Sequence, residues 1–123
     1  MAYSINHVVE SGYVELVYDG NTSMPEVLVT TAQAIQLQKE TGVLNYLIDA
    51  STMVVDATYA EVYQLPTEEY PRQGVNRATK IAIIRSNHED TNKMLHFYEM
   101  ECINRGWNAR TFSNRKIAMN WLG

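Results

Sequence analysis

The run from Lys80 to Phe112, KIAIIRSNHEDTNKMLHFYEMECINRGWNARTF, carries the topology. Lys80–Ile84 is short, apolar and rich in isoleucine, as a strand buried on both faces requires. Asn87-His88-Glu89-Asp90 then opens a helix, with acidic residues in the first turn where the helix dipole favours them. Leu95, Tyr98 and Cys102 fall on one helical stripe, with Met94 and Phe97 beside it. Arg105-Gly106 ends the helix, and Asn108–Phe112 reads as the next strand. Strand, helix and strand in about thirty residues is the pattern of a parallel crossover.

The same alternation extends in both directions. On the C-terminal side, Ser113 is placed to cap a last helix whose Ile117, Ala118, Trp121 and Leu122 face inward. On the N-terminal side, Tyr46–Asp49 is an apolar run ending in a carboxylate, the form of a central strand whose end opens onto a loop. Ser51 to Val55 is expected in that loop, and a helix over Thr58 to Leu65 is expected to stop before Pro66. Val62 and Leu65 share one of its sides. Earlier still, Ser23-Met24-Pro25-Glu26 is a capping box for a helix reaching about Thr41, with Gly42 as its stop. Leu28, Ala32 and Ile35 form its expected buried stripe. The start, Ser4 to Val9 and Tyr13 to Tyr18, reads as a hairpin across Glu10-Ser11-Gly12, and Asp19-Gly20-Asn21 is expected to end its second strand. The order β-β-α-β-α-β-α-β-α predicts a single small α/β domain over residues 1–123, with a mixed, mostly parallel sheet and an N-terminal hairpin.

Composition agrees and narrows the function. The chain has 123 residues, 46% hydrophobic and 20% charged, which is globular rather than disordered. A net charge of −4 argues against nucleic acid, whose phosphates call for a clustered basic face. One cysteine excludes an internal disulfide and any multi-cysteine metal site. His7, His88 and His96 lack ligand spacing, so no metal and no cofactor is expected. No apolar run approaches the ~20 residues of a membrane span, and none near the start has the form of a signal peptide, so a cytoplasmic location without integral membrane association is expected.

The element order, Leu47-Ile48-Asp49-Ala50-Ser51, Asn104-Arg105-Gly106, Phe112 and Ala118-x-x-Trp121-Leu122 together resemble the SpoIIAA-like branch of the STAS superfamily, whose members include anti-sigma-factor antagonists. The resemblance covers nearly the whole length. In those antagonists Asp-Ser-Ser-Gly stands at a helix start and its second serine is phosphorylated. The matching stretch here is Asp56-Ala57-Thr58-Tyr59, so the resemblance implies Thr58 as phosphoacceptor candidate, with Ala57 and Tyr59 departing from the pattern. The plainer reading is that Asp56 or Thr58 caps the helix.

Met53, Val54 and Val55, followed by Tyr59 and Tyr63 at i, i+4, suit protein recognition or the mouth of an apolar pocket. Alternatively, Val54 and Val55 tuck under the helix. Asp49, Ser51 and Thr58 offer an acid and hydroxyls but no base, no phosphate loop or nucleophile elbow occurs, and no enzyme is expected. Cys102 reads as a small buried hydrophobe. The expected role is a non-enzymatic, STAS-like regulatory module binding an unidentified protein partner through Asp56, Met53, Val54, Tyr59 and Tyr63. The alternative is a carrier or sensor of a small apolar or lipid-like ligand, since eight Tyr against two Phe suit an amphipathic pocket wall. Apolar edge surface leaves a homodimer open.

Overall fold

The computed structural model describes residues 3–123; the expected domain also takes in Met1 and Ala2, which lie outside the described residues. Five strands form one sheet in sequential order: β1 (Tyr3–Val8), β2 (Tyr13–Ser23), β3 (Asn45–Asp56), β4 (Lys80–Ile84) and β5 (Asn108–Phe112). β1 is antiparallel to β2, and all later neighbours are parallel. The helices are α1 (Met24–Thr41), α2 (Tyr59–Gln64), α3 (Tyr70–Gln73), α4 (Glu89–Asn104) and α5 (Arg115–Leu122). The mixed sheet and the hairpin are as the sequence predicts.

One face of the sheet carries α1, α4 and the α2–α3 segment over the larger core, which includes Val14, Leu16, Ile83 and Cys102. The other face is covered by α5, whose Ala118 and Leu122 pack on Leu47, Ala82 and Ile84. Arg115 anchors this layer by a two-pronged bond to Glu15 on β2, at 3.0 and 2.5 Å.

Several local expectations are corrected. Asp19-Gly20-Asn21 does not end β2, which continues to Ser23 beside a β3 one residue longer. Gly20 takes φ +71°, and a left-handed glycine lets the strand bend without stopping. Ser51 to Val55 is likewise strand rather than loop. Val17 pairs with Asp49 and Asp19 with Thr52, so β3 carries one extra residue there, a bulge. Asp49 Oδ1 fixes it, accepting from the Ser51 amide at 3.0 Å and the Ser51 hydroxyl at 2.7 Å.

The helix after Thr58 does not stop before Pro66. It widens into a π-helical turn over Leu65–Glu69 and continues as α3. The Leu65 amide bonds Val62 O, the carbonyl that the Pro66 nitrogen cannot serve. Pro71 likewise lacks the N–H that would reach Pro66 O in a π-turn, and Trp107 Nε1 donates to that oxygen at 2.8 Å.

On α1 the buried residues are Met24, Thr30, Ala34, Ile35 and Gln38, while Leu28 and Ala32 face solvent. Two polar side chains lie on its inner face because each has buried partners. The cap of α5 is Asn114 rather than Ser113, its side chain accepting from the Ile117 amide, and Ile117 is 47% exposed.

Candidate functional site

The two long strands build the site. β2 and β3 run past the end of β4 as a two-stranded tongue, with Ser23 opposite Asp56 at its tip. Both neighbouring helices start from that tip. Ser23 and Glu26 form the capping box of α1, and Thr58 and Glu61 form that of α2, where Glu61 Oε1 accepts from the Thr58 amide at 2.8 Å. The tongue's free edge is satisfied from the β4–α4 side: Ser86 Oγ donates to Met53 O, the Asn87 amide to Ser51 O, and the Val55 amide to Thr91 Oγ1.

Between α1 on one side and the α2–α3 segment and α4 on the other lies an apolar crevice, with a cavity of about 120 Å³. Its floor is the middle of the sheet. Ile48 is only partly buried there although its register neighbours Leu16 and Ile83 are buried, so α1 and α4 leave the centre of β3 incompletely covered. The bulge sets the rest of the floor. Before it, Tyr46, Ile48 and Ala50 face this side; after it the phase shifts by one, and Met53 and Val55 do. Val27, Thr31 and Ala34 form the α1 wall; Val62, Leu65 and Tyr70 form the opposite one.

Four tyrosines supply half of the side-chain oxygen and nitrogen atoms at the crevice, and three of their four protons are engaged. Thr30 donates to Val27 O at 2.9 Å, so Tyr18 donates to Thr30 Oγ1. Tyr46 donates to Ala34 O at 2.7 Å. Tyr70 and Tyr98 share a hydrogen bond of 2.6 Å beside the buried Cys102. Gln38 donates to Val43 O and Thr79 Oγ1, and its oxygen accepts from the Asn76 amide. Burial pushes the Tyr18 and Tyr46 hydroxyls and the Cys102 thiol up to about 12, and raises Tyr70 and Tyr98 as well. These groups stay neutral near pH 7.

The predicted site residues divide. Met53 is buried on the crevice floor, so it is not part of an exposed recognition surface. Val54 points away from the crevice into a second groove beside Tyr59 and His88. Asp56 and Thr58 are exposed at the tongue tip. Tyr59 and Tyr63 are 50% and 40% exposed, Tyr59 packed edge-on against Phe97 and Tyr63 hydrogen-bonded to Arg105 at 2.7 Å. Cys102 is buried, as the sequence indicates. Sequence reading missed the α1 wall, because Thr30, Thr31 and Gln38 do not mark an apolar stripe. Among the described residues no group of three acidic, His or Cys side chains is arranged to hold a metal, and no helix is long and apolar enough to cross a membrane.

The architecture defines a SpoIIAA-like fold. A crystal structure with that fold, from an uncharacterised DUF3478-family protein of Shewanella loihica PV-4, superposes with a TM-score of 0.59 over 99% of this chain and 93% of that one, at 15% identity. Searches of protein families and of curated proteins found no match.

Proposed function

We propose that the protein is a non-enzymatic carrier or sensor of a small apolar ligand, held in the crevice between α1 and the α2–α3 segment. The observation that carries this reading is the incompletely buried Ile48 in the middle of the sheet, beneath an apolar cavity of about 120 Å³. A central-strand isoleucine is ordinarily covered, and an opening lined by hydrophobic side chains with a few polar groups is the usual form of a small-molecule site. The test is a titration of isotopically labelled protein with toluene, followed by amide and methyl NMR. Shifts confined to Ile48, Val55, Ile83 and their neighbours, absent in Ile48→Trp, are expected. Unchanged spectra with both toluene and decanol would refute the reading.

A second reading keeps the protein as a regulatory module that docks a protein partner. Its support is the exposed pair Tyr59 and Tyr63 beside Thr58 at the start of α2. Val54→Asp with Tyr59→Asp, in a protein that still folds, should then lose partner recovery. Recovery equal to wild type counts against it.

A further inference from the structure

Resting on the carrier reading, we infer that the crevice selects a compact, neutral apolar molecule of about one six-membered ring and rejects carboxylate-headed ligands such as free fatty acids. Size is the first ground. A cavity near 150 Å³ holds benzene. The crevice, at about 120 Å³, therefore takes some six to eight heavy atoms and not a long acyl chain.

The second ground is the polar complement of the walls. Among the described residues that line the crevice none is charged and none is histidine. A carboxylate needs donors, and most donors here are in use: Tyr18 on Thr30, Tyr46 on Ala34 O, one hydroxyl of the Tyr70–Tyr98 pair on the other, Gln38 on Val43 O and Thr79. The half-buried Thr31 hydroxyl and the second proton of the Tyr70–Tyr98 pair are the lining donors without such a partner, two neutral hydroxyls and too little for an anion. An ionised head inside would lose its water and gain no counter-charge.

The third ground is the tongue tip, where two helix starts lie side by side. Neighbouring helix N-termini would ordinarily attract an anion. Here each is already served by its own carboxylate. Glu26 Oε1 accepts from the Ser23 amide at 3.2 Å and Glu61 Oε1 from the Thr58 amide at 2.8 Å. A ligand with its head at this end therefore meets two negative side chains.

The experiment compares toluene, benzoate and palmitate on the wild-type chain by NMR titration and calorimetry at pH 7. Toluene is expected to bind, with benzoate, the same ring carrying a carboxylate, at least ~100-fold weaker. Benzoate or palmitate binding as tightly as toluene overturns this inference and leaves the carrier reading standing. Failure of toluene and decanol alike overturns both. Glu26→Gln with Glu61→Gln keeps the capping hydrogen bonds, since glutamine also serves in a capping box, but removes both charges. That variant should bind benzoate several-fold tighter with toluene unchanged; no change in benzoate affinity refutes the role given to the two glutamates.

Discussion

Replacing Gln38 by Leu should destabilise the protein by about 2–4 kcal/mol, since two backbone groups would lose their partners at ~1–2 kcal/mol each, the lower part of the usual range because the Asn76 amide is only part-buried. Gln38 is 8% exposed on α1, yet it reaches three residues in two separate loops at once. Its amide nitrogen donates to Val43 O at 3.1 Å and to Thr79 Oγ1 at 2.8 Å, and its oxygen accepts from the Asn76 amide at 2.9 Å. Leucine matches its bulk but bonds none of these. Thr79 keeps its own bond to Asn76 O at 2.6 Å, so the loss falls on Val43 O and the Asn76 amide. With a urea m-value near ~1.5 kcal/mol/M, the unfolding midpoint should fall by roughly 1.3–2.7 M. Urea titration followed by circular dichroism reads this directly, with m unchanged as the check on two-state behaviour. A loss below ~0.5 kcal/mol at constant m would show that Gln38 does not hold the end of α1, and the reasoning would fail.

Other consequences are equally direct. Thr58→Ala removes the cap of α2 and should cost about 1 kcal/mol, while Thr58→Asp, another good cap, should retain most of it; equal losses in thermal denaturation would count against the cap. Trp107→Phe keeps the ring against Tyr70 but leaves Pro66 O without its donor, so a loss of about 1–3 kcal/mol is expected in chemical denaturation. Stability should also decline in alkali. Tyr18, Tyr46 and Cys102 hold their protons up to about 12 when folded, whereas the unfolded chain releases them from about pH 8.5 for Cys and 10 for Tyr. The unfolded state then binds fewer protons, so this stabilisation, complete below about pH 8.5, is lost as pH rises toward 12. Urea midpoints at pH 7, 9 and 10.5 test this, and Cys102→Ala should flatten the earliest part of the fall.

The sequence made the outer architecture legible because its signals are local. The Ser23–Glu26 box, Gly42, and the strands Lys80–Ile84 and Asn108–Phe112 are found where side-chain chemistry puts them. The crevice was hidden for two physical reasons. A bulge shifts the alternation of β3 by one residue, so Met53-Val54-Val55 loses the period-two pattern by which a strand is recognised. The α1 wall is partly polar, and Thr30 and Gln38 read as solvent-facing until their partners Tyr18, Val43 and Thr79 are placed beside them. The π-turn was masked by prolines, which locally signal a stop; the compensating donor, Trp107, is 41 residues from Pro66.

Hydrogen bonds hold the crevice open, and filling it distinguishes the proposed ligand site from a packing fault. Closing it would require α1 and α4 to approach across Ile48. Yet α1 is pinned toward β2 and β3 through Tyr18–Thr30, Tyr46–Ala34 and Gln38, while Glu99 ties α4 to the Thr111 amide of β5 at 2.8 Å and Thr91 ties it to Val55. Collapse would give up buried hydrogen bonds for apolar contact, each bond about 1 kcal/mol net and more if orphaned. Filling the gap from the floor breaks none of them. Ile48→Trp should bury roughly 60 Å² of added apolar surface and raise stability by about 1.5 kcal/mol while abolishing toluene binding. A gain in unfolding midpoint coupled to loss of binding is the behaviour of a site that gives up packing for function. A fall in stability together with loss of binding would mean that the floor has no room for the indole, and that the opening above Ile48 is not spare packing volume.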